Sequence, residues 1–259
     1  MSKNRLKKIY DYRHTLWNMS VSQLKAKYSG SILGISWAII NPLLITLAVT
    51  FIFTQVMKTE IRCFSLFVLS VLLPWFFFAS AISESATAMK QNIGMLRQFT
   101  IPKEIIPISM VTSNLLNFLF GFIVMLPFFA IFNLSIIKFL WLLPAVIFLH
   151  YIFTLGVCLL FSVANVYFQD LAQILNVGLM FLFWVTPVFY SVESIPLKWQ
   201  WVILMNPVTC YVSIYRSLLY AGNSGSLFIW FLCFAFAFLS ITSGFFFFYR
   251  KESDILKHI

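Results

Sequence analysis

Long stretches without a charged residue, divided by short charged interludes, dominate this chain. A helix that crosses a bilayer needs ~20 predominantly apolar residues. Charge-free windows of that length lie between Lys27 and Lys58, Arg62 and Glu84, Glu104 and Lys138, Lys138 and Asp170, Asp170 and Glu193, and Arg216 and Arg250. They predict six transmembrane helices, at about 33–56, 63–83, 105–132, 139–167, 171–192 and 227–249. The expected fold is an all-α membrane protein, with a membrane domain over 31–259 behind an N-terminal segment, 1–30.

Three segments fit neither a span nor a short loop. In 1–30, Leu6, Ile9, Tyr10, Leu16, Trp17, Val21, Leu24 and Tyr28 recur at three- and four-residue steps between Lys and Arg. That spacing predicts an amphipathic helix in the membrane interface, serving either as a lipid anchor or to dock a partner. The stretch 84–104 predicts one or two short helices closed by Pro102 and Pro107, a cytoplasmic coupling helix with a protein contact. In 193–223, Pro196 and Asn206-Pro207 separate two apolar pieces, each too short to cross a bilayer. These form either a re-entrant hairpin dipping in from the outer face, between the fifth and sixth spans, or a hairpin lying in the interface.

Charge sets the orientation. Of the eighteen Lys and Arg, only Lys58, Arg62, Lys138, Lys198 and Arg216 fall on the side opposite the N-terminus; Lys257 counts with the remainder. The positive-inside rule then places both termini of a multi-pass membrane protein in the cytoplasm. Composition sharpens the class: 61% of the 259 residues are hydrophobic and 10% charged, against ~25% charged in soluble domains. A water-soluble enzyme is excluded, because so much apolar surface cannot be hidden inside one domain of this size. The net charge of +10 reads as orientation and contact with anionic membrane lipids, with no nucleic-acid partner.

Little reactive chemistry is visible. Cys63, Cys158, Cys210 and Cys233 include no C-x-x-C pair and read as small buried hydrophobes, with a Cys63–Cys210 disulfide as the alternative. No G-x-x-x-x-G-K-[ST] phosphate loop occurs. Among His14, His150 and His258, only His150 lies within a span. Without carboxylates at its depth it reads as a neutral ring bonded to a neighbouring helix. No catalytic or metal residues are assigned, and no cofactor is expected in this chain.

Aromatic residues make up 19% of the sequence, 31 of them Phe. Those that do not face lipid can line a path on which sugar rings stack. Trp75 and Phe78 on the second span, with Phe181, Trp184, Phe189 and Tyr190 on the fifth, sit beside prolines and are the lining candidates. Phe181, Trp184 and Val188 are expected on one helix face, opposite Trp75 and Phe78.

Several motifs, in order along nearly the whole chain, resemble the permeases of polysaccharide ABC exporters. They are Leu24-Lys-Ala-Lys-Tyr28-Ser-Gly-Ser-Ile-Leu-Gly34-Ile-Ser-Trp37 with Asn41-Pro42-Leu43; Leu73-Pro74-Trp75-Phe76-Phe77; and Asn92 with Ile101-Pro102-Lys103-Glu104-Ile105-Ile106-Pro107. Asn165-Val-Tyr-Phe168-Gln169-Asp170-Leu171, Thr186-Pro187-Val188-Phe189-Tyr190 and Asn206-Pro207 complete the set. Where the family usually has Arg-Asp, this chain has Gln169-Asp170, so the resemblance carries no salt bridge there. The resemblance implies a type-2 ABC transporter permease that forms a homodimer and pairs with two copies of an ATPase subunit, which binds ATP and Mg. It implies export of an undecaprenyl-diphosphate-linked polysaccharide, most often lipopolysaccharide O-antigen; capsule and teichoic acid exporters share the motifs. Gln91, Asn92, Arg97, Lys103 and Glu104 are the candidate ATPase contacts. Tyr28, Gly34 and Trp37 mark the turn from the interface into the membrane, with Gly34 also expected to permit a close backbone contact. A membrane enzyme acting on polyprenyl-linked sugars would need a charged site near one interface, which the sequence lacks. A structural scaffold would need no ATPase.

Overall fold

The structure, a computed structural model, describes residues 3–99 and 101–252; Lys257 and His258, and the side chains of Lys3, Arg5 and Leu6, lie outside the described residues. Every regular element among the described residues is helical. The N-terminal segment forms α1 (Lys3–Asp11) and α2 (Arg13–Lys27), broken at Tyr12. A tight turn at Gly34–Ser36 leads into α3 (Trp37–Phe51), which ends in a π-turn, Ile52–Val56. Then follow α4 (Phe64–Gln91), the short α5 (Ile93–Gln98) and α6 (Ile105–Phe132). A 3-10 stretch, Leu134–Leu142, precedes α7 (Leu143–Tyr167), and α8 covers Leu171–Val185. The pair α9 (Leu197–Met205) and α10 (Pro207–Arg216, extended by a π-turn to Ala221) precedes the last helix, α11 (Leu227–Lys251).

Among the described residues five helices are long and apolar enough to cross a membrane, Gly34–Val56, Phe64–Gln91, Ile105–Phe132, Leu134–Tyr167 and Leu227–Lys251, and the pair α9–α10 makes a sixth if it counts as one span. The helix expected over 171–192 is observed over Leu171–Val185 alone. At 15 residues α8 reaches ~22 Å, short of the ~30 Å hydrocarbon core. Pro187 ends it, because a proline has no N–H to give and clashes with the preceding turn. The second helix, conversely, does not stop at Ser83 but continues to Gln91. A charge marks where a helix leaves lipid; it does not terminate the helix. The pair α9–α10 is bent by 104° at Asn206-Pro207, where the Asn206 side chain accepts the Val208 N–H and caps α10.

The centre of the bundle is α4, walled by α3, α6, α7, α8 and α10. Phe67, Val68, Val71, Leu72, Trp75, Phe77, Phe78, Ala81 and Ile82 along it are all buried. Peripheral helices keep large apolar faces on the surface, including Leu47 and Phe51 on α3, Phe128 on α6 and Phe231 and Phe234 on α11. In water such faces would aggregate; against lipid they cost nothing. Packing of α7 on α11 is the tightest contact, since a Cβ on Gly156 would collide with Ser240 and one on Gly244 with Gly156. The Ser240 hydroxyl seals the seam by donating to the Phe153 carbonyl at 2.6 Å.

All four cysteines are free, Cys63 exposed and Cys158, Cys210 and Cys233 buried, so the alternative of a Cys63–Cys210 disulfide is set aside. His150 is fully buried, but neither ring nitrogen has a hydrogen-bond partner, contrary to the expected bond. Its neighbours explain why. The ring stacks on Tyr211 at 4.9 Å and meets the Phe77 edge at 5.1 Å, faces that offer no acceptor.

Candidate functional site

Two polar assemblies sit at opposite ends of α4. At the end facing the N-terminal helix, Lys27 on α2 pairs with Glu84 on α4 at 2.7 Å. Lys27 also donates to the Asn114 carboxamide oxygen on α6 at 3.1 Å, and the Asn114 amide donates to the second Glu84 oxygen at 2.7 Å. Gln23 donates to Ser109 at 3.0 Å, and the Tyr28 hydroxyl to Asn117. Burial raises the Tyr28 phenol above its ordinary pKa, which keeps it a donor. One residue before Glu84, the Ser83 hydroxyl donates to Asn176 on α8 at 2.7 Å. A single level of α4 therefore ties α2, α6 and α8 together.

The N-terminal helix is thus clamped on α6 of its own chain. Ile9, Leu16 and Met19 pack on the core, while Tyr10 and Trp17 remain exposed, open to either expected role, lipid anchor or partner dock. Beside the clamp lies a cavity of about 130 Å³, lined among others by Lys27, Tyr28, Trp37, Asn41, Asn114 and Asn117. The turn into α3 uses Gly30 (φ +78°) and Gly34 (φ +51°), a conformation that costs other residues about 1–2 kcal/mol. Nothing in its own chain lies within 4 Å of where a Cβ on Gly34 would stand, so within one copy the residue serves the turn and makes no close backbone contact. Trp37 donates its indole N–H to Ser31 at 3.1 Å across that turn.

The predicted ATPase contacts divide. Gln91 and Arg97 are exposed at the tip formed by α4 and α5, and Asn92 is half-buried, its amide donating to the Ala88 carbonyl at 2.9 Å. Lys103 turns away and donates to the Glu252 carbonyl at the end of α11, at 2.6 Å. Glu104 is buried and receives the Tyr249 hydroxyl at 3.5 Å. Both fasten the loop to α11, and the buried Glu104 offers no surface to a partner.

At the opposite end, the break after α8 is held by side chains. Arg216, on the last turn of α10, donates Nη2 to the Pro187 and Val188 carbonyls at 2.7 and 2.9 Å and Nη1 to the Tyr190 carbonyl at 3.1 Å. Its guanidinium carbon stands 3.8 Å from the centre of the Phe67 ring on α4. The Tyr190 hydroxyl caps α8 by donating to the Val185 carbonyl at 2.7 Å, and Asn206 donates to the Thr186 hydroxyl at 3.0 Å. Backbone freed by a proline inside apolar surroundings must find partners within the protein, and these side chains supply them. Hydrogen bonds to a charged group contribute about 1.5–3 kcal/mol each, and a desolvated cation–π contact about 2 kcal/mol, offsetting the cost of drawing a cation out of water.

The predicted aromatic lining does not form one face. Trp75 and Phe78 are buried within the chain's own core, Phe78 stacking on Phe153, so their assignment opposite Phe181 and Trp184 is corrected. Trp75 meets Phe183 at 5.4 Å. With Phe183 turned inward, Phe181 lies on the far side of α8 and is 70% exposed; Trp184 is 60% exposed. Val188 falls beyond the helix and is buried, which removes it from that face. Phe189 is buried, bridging Phe53, Phe183 and Trp184, and Tyr190 is half-buried as the α8 cap. Sequence reasoning missed Phe183, Asn114 and above all Arg216, which it counted only as an outer charge. Asn165, in the motif before α8, was also read without a role; its side chain accepts the Ala172 N–H at 3.1 Å and starts the helix.

An α-helical, multi-span bundle, with a buried central helix joining a polar clamp at one end to a bent helix pair at the other, defines an all-α integral membrane protein. Residues 14–220 match the ABC-2 type transporter family, and the chain belongs to it. It is 33% identical over 200 residues to the O-antigen export system permease protein RfbA of Klebsiella pneumoniae, covering 77% of each chain. The protein of the same name from Myxococcus xanthus is 30% identical over 217 residues, 83% of this chain and 84% of its own. Polysialic acid transport protein KpsM of Escherichia coli is 23% identical over 217 residues, 80% and 82% of the two chains. The chain is an ABC-2 permease subunit.

Proposed function

We propose that the chain exports lipopolysaccharide O-antigen, carried on undecaprenyl diphosphate, from the cytoplasmic to the outer side of the inner membrane. It acts as a homodimer with two copies of an ATPase that binds ATP and Mg, and both termini are cytoplasmic. The observation that carries the glycan assignment is the 33% identity to an O-antigen export permease over most of the chain. Similarity to a polysialic acid transport protein supports capsular glycan as the second reading, at 23% identity.

The mechanism follows from α4. Gln91 and Arg97 at its exposed tip, with α5, receive the ATPase. A push there moves the level of Ser83 and Glu84, to which α2, α6 and α8 are tied. Sixteen residues away, ~24 Å along the helix, Phe67 lies under Arg216, so the same rod reaches the bent pair. The pair α9–α10 is a re-entrant outer gate, and the glycan passes between the two copies along the exposed face of α8, with Phe181 and Trp184 offering ring planes to sugars.

Loss of the chain from its own cells tests this reading. Surface O-antigen should disappear while its lipid-linked precursor accumulates inside. Loss of capsule alone would favour the second reading, and an unchanged surface glycan would overturn both.

A further inference from the structure

Arg216 is the cation at the bent pair that bonds to three carbonyls of one short stretch. Long basic side chains near a membrane end commonly reach out to headgroups, and that would be the ordinary role for this one. Its geometry is otherwise. All of its hydrogen bonds go to Pro187, Val188 and Tyr190, its guanidinium carbon stands over the Phe67 ring, and its Nε is buried. No carboxylate pairs with it among the described residues. The stretch it grips is the bent, non-helical backbone between α8 and the bent pair, so Arg216 joins α10, the segment following α8 and the central α4 at one point.

We propose that Arg216 is the positioning residue of the outer gate. It pins the Pro187–Tyr190 backbone to α10 and α4 while the gate is closed, and it releases those carbonyls when α9–α10 swing to let the glycan pass. The pin explains how a backbone break persists in apolar surroundings: the donor that satisfies it rides on the moving element. Opening therefore exposes three carbonyls at once, which makes the closed state the resting one until the ATPase drives α4. This inference rests on reading the bent pair as an outer gate.

A native thiol reports on that gate. Cys210 lies on α10 just past the bend and is fully buried, whereas Cys63 is exposed before α4. The full complex with its ATPase, in intact cells, is treated with a membrane-impermeant maleimide, and labelled cysteines are mapped by mass spectrometry. In the parent protein Cys63 should react and Cys210 should not. In a Cys63→Ser background, Arg216→Gln should raise Cys210 labelling about tenfold, with Arg216→Lys in between, at unchanged amounts of assembled complex and with reduced export. Phe67→Leu, which removes the ring beneath the guanidinium and keeps an apolar core, should raise it by a smaller factor. Cys210 labelling that stays at the parent rate in whichever of these variants assemble overturns the pin. If Cys63 does not react from outside, the sidedness is overturned instead, and the same comparison with reagent on the other side then judges Arg216.

Discussion

The two ends of α4 are fastened by different chemistry. Near the N-terminal helix, side chains bond to side chains: Lys27, Glu84 and Asn114 close a three-membered network that is partly open to water. At the bent pair, one guanidinium bonds to backbone, and the acceptors are carbonyls of the non-helical stretch that follows α8. A side-chain network can rearrange at low cost, because water replaces each partner it loses and exposed ion pairs contribute little. Carbonyls in apolar surroundings have no such substitute. The end near the N-terminal helix is therefore compliant, and the end at the bent pair is set to one state until forced.

Arg216→Met should do the most damage. It leaves up to three carbonyls without donors, at about 1–3 kcal/mol each, and should give the largest fall in unfolding temperature of the detergent-solubilised protein. Equal stability to the parent would erase the contrast between the ends. Arg97→Ala tests the receiving tip. Export should drop about tenfold relative to ATP hydrolysis, with insertion and melting unchanged, as expected for loss of a coupling contact. Wild-type coupling would move the docking site elsewhere. Glu84→Gln keeps an acceptor for Lys27 and loses the ion pair, so stability should fall by about 1 kcal/mol or less. Raising the salt should shrink that difference, because the pair is partly exposed, and should leave the Arg216→Met defect in place. Smallest is Tyr28→Phe, which removes one hydrogen bond to Asn117 and should cost about 1 kcal/mol in chemical denaturation.

Much of this contrast was hidden in the sequence for identifiable reasons. Charge-free windows located the apolar helices, because burying charge in lipid is costly and the signal is strong. The same signal misplaced the ends of two. It carried the fifth window past Pro187, where no charge intervenes, and it stopped the second at Glu84, which α4 accommodates by pairing it with Lys27. Gly30 and Gly34 are legible as turn residues before α3, where both adopt positive φ. Rotational phase was the weak point. Phe181, Phe183 and Trp184 are close in sequence, and only the contact with Trp75 decides which of them faces inward. Arg216 had no signature at all: its partners are carbonyls, which every residue carries, and its approach to Phe67 is set by tertiary packing.

The central claim, that this chain moves a lipid-linked glycan when a partner hydrolyses ATP, is tested most directly in proteoliposomes. The permease would be reconstituted with its ATPase and with undecaprenyl-diphosphate-linked O-antigen, and glycan crossing the bilayer would be read with an impermeant lectin. Nucleotide is supplied on the side where the ATPase is bound. ATP should make the glycan accessible on the opposite side, and an ATPase unable to hydrolyse should abolish the signal. ATP hydrolysis without glycan transfer, or transfer that proceeds equally without ATP, would contradict the account.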